Sequence, residues 1–185
     1  MAKRSMTIAV MLVLVGLVSA PVGASATPTR SQPSSGNHEL SWQDRRFMRQ
    51  AAQAGLFEVR KSELALSRSH DRHVRQFAAQ MIRDHTKANM ELKQLAASKD
   101  VRLPRRPNAH QRRIIRRLAR LSGERFDCAY MTVQVRAHLQ AIAIFRREVR
   151  HGHDPAVRAY AAATLPVLRM HLRMARQTLH QLDCC

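Results

Sequence analysis

The sequence predicts an all-α protein built around a bundle of four long helices. Apolar residues recur three or four positions apart in four separate segments, and this period marks one face of a helix. Short stretches with capping residues join the first segment to the second and the third to the fourth, whereas a long stretch with two prolines joins the second to the third. Amphipathic segments connected in this way are typical of helical bundles.

The first two helices are predicted at residues 42–68 and 72–98. Ser41 followed by Asp44 resembles a capping box, and Asp71 can cap the second helix. The apolar face of the first helix consists of Phe47, Ala51, Ala54, Glu58, Ser62 and Ala65. That of the second consists of Val74, Ala78, Met81, His85, Ala88, Leu92 and Leu95.

The other two long helices begin after Ser122-Gly123 and after Asp154. The third ends at the segment HGHDP, where Gly152 stops it, and Asp154-Pro155 combines an N-cap with a proline in the first turn. The third apolar face consists of Met131, Val135, His138, Ile142, Phe145 and Val149. The fourth consists of Val157, Ala161, Thr164, Leu168, His171, Ala175 and Leu182.

Residues 99–122 form the long connection between the second and third long helices. In it, Pro104 and Pro107 precede a short amphipathic helix with the sequence AHQRRIIRRLARL. The segment is long enough to cross the whole bundle, given ~3.3 Å per extended residue and ~1.5 Å per helical residue. This favours a ferritin-like four-helix bundle over simple up-and-down connectivity.

The N-terminal segment has the pattern of a secretory signal. In residues 1–26, Lys3 and Arg4 precede an apolar run too short to span ~30 Å of hydrocarbon, and the segment ends in Ala-Ser-Ala. We expect cleavage near Thr27 and export to the periplasm or cell envelope, with a retained N-terminal anchor as the alternative. Residues 27–40 have the composition of a flexible linker, and residues 41–183 are the predicted bundle domain.

The chain is strongly basic, with 32 Lys and Arg against 13 Asp and Glu and a formal charge of +19. The crossover helix carries four arginines on one side, predicted to bind anions: Arg112, Arg113, Arg116 and Arg117. They could contact an anionic membrane surface or another envelope polyanion, or they could form a solvated face. Sequence-specific nucleic-acid binding is not expected, because only 4% of residues are aromatic. A homo-oligomer is compatible with the sequence.

The three cysteines do not suggest a disulfide framework. Cys128 is isolated, Cys184 and Cys185 are adjacent, and the number is odd. The adjacent pair could form an intermolecular bridge, a vicinal disulfide or no bond. No CxxC or Cys/His zinc spacing is present.

Each long helix places one polar residue near the middle of its apolar face: Glu58, His85, His138 and His171. Imidazoles and a carboxylate are good ligands for transition metals, so these residues could bind iron, zinc, manganese or copper, with Asp84 orienting His85 from a second shell. The alternative is a buried hydrogen-bonded network in which Glu58 accepts protons from the imidazoles. In either interpretation we expect the four side chains to converge at mid-bundle.

Signatures of common enzymes are missing. Di-iron sites of ferritin-like proteins need two Glu-x-x-His pairs, and the pair here, Glu148 and His151, stands at a helix end as a chance occurrence. No catalytic Ser/His/Asp set, phosphate-binding loop or paired catalytic carboxylates stand out. We therefore expect a non-enzymatic binding protein, with a metal store or metal-dependent oxidoreductase as the alternative.

Four segments carry a family resemblance: FMRQAAQAGLFEVRKSELAL, VRQFAAQMIRDHTKANMELKQLA, FDCAYMTVQVRAHLQAIAIF and YAAATLPVLRMHLRMA. Together with the DHTKAN and LPxLxxHL elements, they resemble the exported bacterial family known as domain of unknown function 4142, over nearly all of residues 42–182. The resemblance implies a ferritin-like fold and no established general activity. Members often carry Asp-His in the third long helix too, where this chain has Ala137-His138.

Overall fold

Five helices make up the computed structural model, which describes residues 40–182 and 184. They are α1 (Trp42–Arg68), α2 (Arg72–Ser98), α3 (Ala109–Leu118), α4 (Gly123–His151) and α5 (Pro155–Gln181). No strand occurs in this part of the chain, so the predicted all-α class is confirmed, as are the predicted bounds of α1 and α2. The crossover helix α3 ends at Leu118, three residues before the end of the predicted segment AHQRRIIRRLARL. The predicted signal peptide and all but the last residue of the predicted linker lie outside the described residues.

Side-chain caps explain where the helices begin. Ser41 Oγ accepts the backbone N–H of Asp44 at 3.1 Å, and the Asp71 carboxylate accepts that of Val74 at 2.9 Å. Asp154 caps α5 in the same way, through two backbone N–H groups. Because each such bond satisfies a donor that the helix leaves unpaired, it stabilises the helix start by about 1 kcal/mol.

The four long helices form a bundle in which neighbouring helices are antiparallel. α1 packs against α2 and α4, and α5 packs against the same two helices. The N-terminal half of α1 shares an apolar cluster with the C-terminal halves of α2 and α4 and the N-terminal half of α5. The connection between α2 and α4 must therefore run the length of the bundle, as predicted for ferritin-like connectivity.

The core is divided into two apolar clusters. The first contains Phe47, Met48, Leu92, Phe145 and Val157, together with Leu40, the last residue of the predicted linker. The second lies at the opposite end; its larger members are Phe77, Met81, Phe126, Tyr130 and Met131. Buried polar side chains occupy α1, α2, α4 and α5 between these clusters.

The crossover helix α3 packs on the side of the bundle formed by α1 and α4. Leu118 is buried in the second cluster, and Ile114 and Leu121 pack against it. Asn108 and Gln111 form a complete capping box at the start of α3, which fixes where this short helix begins. Among the described residues, no helix is both long enough and apolar enough to span a bilayer.

A disulfide joins Cys128 of α4 to Cys184 beyond the end of α5. None of the pairings considered for the cysteines from sequence included this bond. The bond forms because α4 and α5 are antiparallel neighbours, which brings the start of one helix close to the end of the other, with the two Cα atoms 5.6 Å apart. This packing cannot be read from cysteine spacing.

Candidate metal centre

Three histidines from three different helices meet in the middle of the bundle. His85 of α2, His138 of α4 and His171 of α5 are 8%, 1% and 0% exposed. Each offers one ring nitrogen such that the three nitrogens all lie within 4.8 Å of one another. The ring centroids are separated by 5.3 to 5.8 Å. The predicted convergence of the three imidazoles is therefore present in the structure.

Hydrogen bonds fix the tautomers of two of these rings. His138 Nδ1–H donates to the Gln134 carbonyl at 2.9 Å, and His171 Nε2–H donates to Asp84 Oδ2 at 2.7 Å. The opposite nitrogens then carry free lone pairs. His85 Nε2, His138 Nε2 and His171 Nδ1 are all buried and lack a hydrogen-bond partner.

Asp84 has a different partner from the one predicted. Its carboxylate binds His171 of α5, not the adjacent His85. Successive residues on a helix point about 100° apart, so Asp84 and His85 face in different directions. His85 points to the bundle centre while Asp84 faces α5, and Gln80 also donates to the carboxylate at 2.7 Å.

Glu58 lies beside the histidines but is bound by a lysine. Lys61 Nζ donates to Glu58 Oε1 at 2.8 Å, and both side chains are buried. Glu58 Oε1 is 4.0 Å from His138 Nδ1, while Glu58 Oε2 is buried without a hydrogen-bond partner. The predicted network in which Glu58 accepts protons from the imidazoles is wrong for His138 and His171, since their N–H groups donate elsewhere.

The electrostatic environment keeps the His85 and His138 imidazoles neutral and the Glu58 carboxylate charged. Burial is the main cause that lowers the pKa of His85, to about 3, and it also lowers the pKa of His138. Burial alone would raise the pKa of Glu58, but Lys61 and the neighbouring histidines lower it to about 2. A neutral imidazole has the free lone pair that a metal ion needs, so no proton competes for His85 near neutral pH.

A polar chain extends from Glu58 towards the second apolar cluster. Lys61 also donates to Gln134 Oε1 at 2.9 Å, and Gln134 donates to Ser62 at 3.5 Å. Ser62 and the Tyr130 hydroxyl lie 2.8 Å apart. Sequence reasoning missed Lys61 and Gln134, although Lys61 follows Glu58 by three residues and Gln134 precedes His138 by four, which are neighbouring positions on a helix face.

A cleft of about 500 Å³ connects this centre with the surface between α1 and α4, beneath α3. Glu58, His85 and His138 are buried and line the inner part of the cleft. The exposed Arg117 and Arg136 line its outer part. The cleft therefore ends against two of the three histidines, whose unpaired ring nitrogens are themselves buried.

The four arginines of the predicted anion-binding segment have different surroundings. Arg113, Arg116 and Arg117 are exposed, whereas Arg112 is half-buried and donates to the Pro107 carbonyl at 2.6 Å. The structure thus places three of the four at the surface of α3.

A second buried polar cluster lies at the end of the bundle where α1 begins. Asp44 and Glu148 are both fully buried, and Asp44 accepts backbone N–H groups from His153 at 2.9 Å and from Asp154. Burial and the neighbouring Asp44 carboxyl raise the pKa of Glu148 to about 7. The carboxyl pair can therefore hold a proton at slightly acid pH. His151 is exposed, so Glu148 and His151 do not form a buried ligand pair.

Comparison with known proteins places the chain in a family. No curated protein matches the sequence. Among solved structures, the crystal structure of a DUF305 fragment from Deinococcus radiodurans is similar, with a TM-score of 0.69 and 16% identity over 77% of this chain and 98% of that one. At this identity the likeness shows the fold alone. The family model of the domain of unknown function DUF4142 matches residues 29–178. The protein therefore belongs to the DUF4142 family.

Proposed function

We propose that the protein binds one transition-metal ion at His85, His138 and His171. One observation carries the proposal: each of the three buried rings has a nitrogen without a hydrogen-bond partner, and each ring offers one nitrogen within 4.8 Å of those of the other two. Leaving a buried polar atom unpaired costs about 1–3 kcal/mol, so three together need a compensating ligand. Ligand nitrogens of a tetrahedral ion are about 3.3 Å apart, so side-chain shifts on the order of an ångström suffice to close the site.

The surroundings of the site support this proposal over a self-contained hydrogen-bonded network. A satisfied network would use the nitrogens that are left without partners. In addition, Asp84 accepts from His171 and the Gln134 carbonyl accepts from His138. Such partners orient metal-binding imidazoles in known sites and increase their basicity.

The donor set favours particular metals. Three neutral imidazoles suit zinc, copper and iron, whereas manganese prefers oxygen ligands. Glu58 Oε2, which is buried and without a partner, is available for a fourth position. Zinc and copper are therefore the first ions to test, followed by iron.

Two further parts of the proposal concern location and role. We propose that the protein is exported to the cell envelope, supported by the N-terminal signal pattern and by the Cys128–Cys184 disulfide, since such bonds persist in oxidising compartments. We propose binding, not catalysis, as its main role. A metal-dependent oxidoreductase is the second candidate, favoured by the cleft whose inner end is lined by two of the histidines.

Metal uptake tests the proposal directly. Protein without an affinity tag is stripped with a chelator, loaded with zinc, copper or iron, and measured by elemental analysis. We expect one ion per chain in the wild type and loss of that ion in His85→Ala. Metal should raise the melting temperature of the wild type only, because a ligand that binds the folded state stabilises it. His180→Ala changes an exposed histidine on α5 and is the matched control.

The same variant separates the two interpretations of the centre. A purely hydrogen-bonded network predicts that His85→Ala destabilises the fold by ~1–3 kcal/mol with no dependence on metal. Absence of stoichiometric metal from the wild type, or equal uptake by His85→Ala, would show that the histidines are not a metal site.

A further inference from the structure

The cleft beneath α3 has properties that the binding of a metal ion alone does not require. It has an apolar wall, a buried polar end at the histidines and a cationic outer end. Its volume of about 500 Å³ far exceeds the space that a metal ion and one water need. Cavities of this size that combine apolar surface with convergent polar groups typically hold a small organic molecule.

We infer that the cleft binds a small aliphatic carboxylate whose carboxylate coordinates the metal and whose hydrocarbon chain lies along the cleft wall. This inference rests on the proposed function, because the carboxylate needs the metal as its partner. Without a metal, the Glu58 carboxylate at the inner end of the cleft would repel a second carboxylate.

The charge of the loaded centre favours an anion. Imidazoles bind a metal ion in their neutral form, and the Lys61 ammonium is paired with the Glu58 carboxylate. A divalent ion would add two positive charges to a buried site, and Asp84 compensates them only in part through its hydrogen bond to His171; this is costly unless a further anion neutralises the rest. An external carboxylate supplies further negative charge by taking the fourth position in place of Glu58 Oε2, since the other oxygen of Glu58 is already held by Lys61.

The outer end of the cleft also favours an anion. Arg117 and Arg136 line it, both are exposed, and neither has an ion pair with another described residue. Among the described residues that line the cleft, Glu58 is the sole acidic one. A cleft entrance lined by positive charge raises the local concentration of anions, so Arg117 and Arg136 favour the entry of an anion into this cleft.

The wall selects an organic anion over chloride or hydroxide. Between the two ends, α1 and α4 contribute the amides of Gln50, Gln53 and Gln140 and several small or apolar side chains, namely Ala54, Phe57, Ala137, Ala141 and Ile144. Burying a methylene group against such a wall should strengthen binding about three- to fourfold. A chain of several carbons therefore binds better than acetate.

The test uses Co²⁺-loaded full-length protein, since the visible spectrum of Co²⁺ reports a change of its ligands. Acetate, butyrate and hexanoate are titrated separately. We expect saturable spectral changes with dissociation constants that fall about three- to fourfold for each added methylene. Metal-free protein that is titrated with hexanoate in a calorimeter should show no binding.

Two variants test the cleft without changing a metal ligand. Ala54→Leu fills the wall and should weaken hexanoate binding at least tenfold while Co²⁺ uptake remains stoichiometric. Ala163→Leu, at an exposed position of α5 outside the cleft, is the size-matched control and should bind as the wild type does. Arg136→Gln should weaken binding severalfold and reduce its dependence on salt.

The outcomes distinguish the two proposals. Failure to take up Co²⁺ overturns the metal site and this inference with it. Uptake of Co²⁺ together with equal affinity for acetate and hexanoate, or with hexanoate binding to metal-free protein, overturns the inference about the cleft and leaves the metal site in place. Unchanged hexanoate affinity in Ala54→Leu would likewise exclude the cleft as the site.

Discussion

Two groups outside the candidate ligand set, one side chain and one backbone carbonyl, determine which nitrogen of His171 and of His138 is free. Asp84 does this for His171, because its carboxylate accepts the Nε2–H at 2.7 Å and leaves Nδ1 as the lone-pair donor. The Gln134 carbonyl does it for His138. The ligand geometry therefore depends on these partners as much as on the imidazoles.

Asp84→Asn tests this dependence. The amide keeps the size of the side chain but loses the negative charge, so we expect metal affinity to fall by about 10- to 100-fold, as for other second-shell changes. Competition with a chromophoric chelator measures the affinity. Glu91→Gln removes an exposed carboxylate from the same helix and should have no effect. Equal affinities of wild type and Asp84→Asn would contradict the role assigned to Asp84.

The Asp44–Glu148 pair makes stability depend on pH. Burial and Asp44 raise the pKa of Glu148 from 4.5 to about 7 in the folded protein. The folded state thus binds more protons than the unfolded state between these values, so the stabilisation is complete below pH ~4.5 and is lost as pH rises through ~7. We expect the loss of this contribution to lower the free energy of unfolding by about 1–3 kcal/mol between pH 5 and pH 8.

Denaturant unfolding at pH 5 and pH 8 measures that fall. Glu148→Gln removes the titrating group, so the difference between the two pH values should shrink in this variant. Glu91→Gln, on an exposed surface, should retain the wild-type difference. A Glu148→Gln protein with the full wild-type pH dependence would show that another group is responsible.

Among the helices, α3 combines two faces with separate roles. Leu118 and its apolar neighbours attach it to the bundle, while Arg113 and Arg116 point to solvent. The amphipathic pattern predicted this division, since residues three or four apart share a helix face. The pattern could not show that α3 would lie over a cleft, because that depends on how far α1 and α4 stand apart.

The cationic face of α3 remains a predicted surface for anionic membranes. Replacing Arg112, Arg113, Arg116 and Arg117 with Gln should abolish salt-dependent binding to anionic vesicles, since exposed charges are screened over ~8 Å at physiological salt. Vesicle co-sedimentation measures the binding. The charge-matched control changes four exposed arginines of α4 and α5, namely Arg146, Arg147, Arg169 and Arg173. Equal loss of binding in both proteins would mean that net charge alone attracts the vesicles.

Helix boundaries were predictable from sequence, whereas contacts between helices were only partly so. Local signals such as Asp71 and Asp154 mark the helix starts, because capping involves residues close in the chain. The histidines could be placed in one layer because each stands near the middle of its helix. The Lys61–Gln134 bond and the Asp84–His171 bond depend on the rotation of each helix about its axis, which apolar spacing defines only coarsely.

For the whole molecule, the disulfide is the main covalent constraint. It closes a loop with a sequence separation of 56 residues and ties the end of α5 to the start of α4. A cross-link over a loop of this length reduces the entropy of the unfolded chain, so its removal should cost about 2–4 kcal/mol.

The double variant Cys128→Ser/Cys184→Ser tests that estimate by denaturant unfolding. We expect its midpoint to fall well below that of the oxidised wild type and to match that of the reduced wild type. Cys185→Ser leaves both bonded sulfurs in place and is the matched control. A double variant as stable as the oxidised wild type would show that the bond adds no stability.

The polar layer between the two apolar clusters also restricts how the helices can slide. A helix that shifted by one turn, ~5.4 Å, would keep most of its apolar contacts but would move its polar side chain into an apolar cluster. His138, for example, would lose its place beside Glu58 and His171. Each buried polar group left without a partner costs about 1–3 kcal/mol, so a slipped bundle is penalised at several positions at once. The layer therefore sets the register of the four helices, whether or not a ligand is bound.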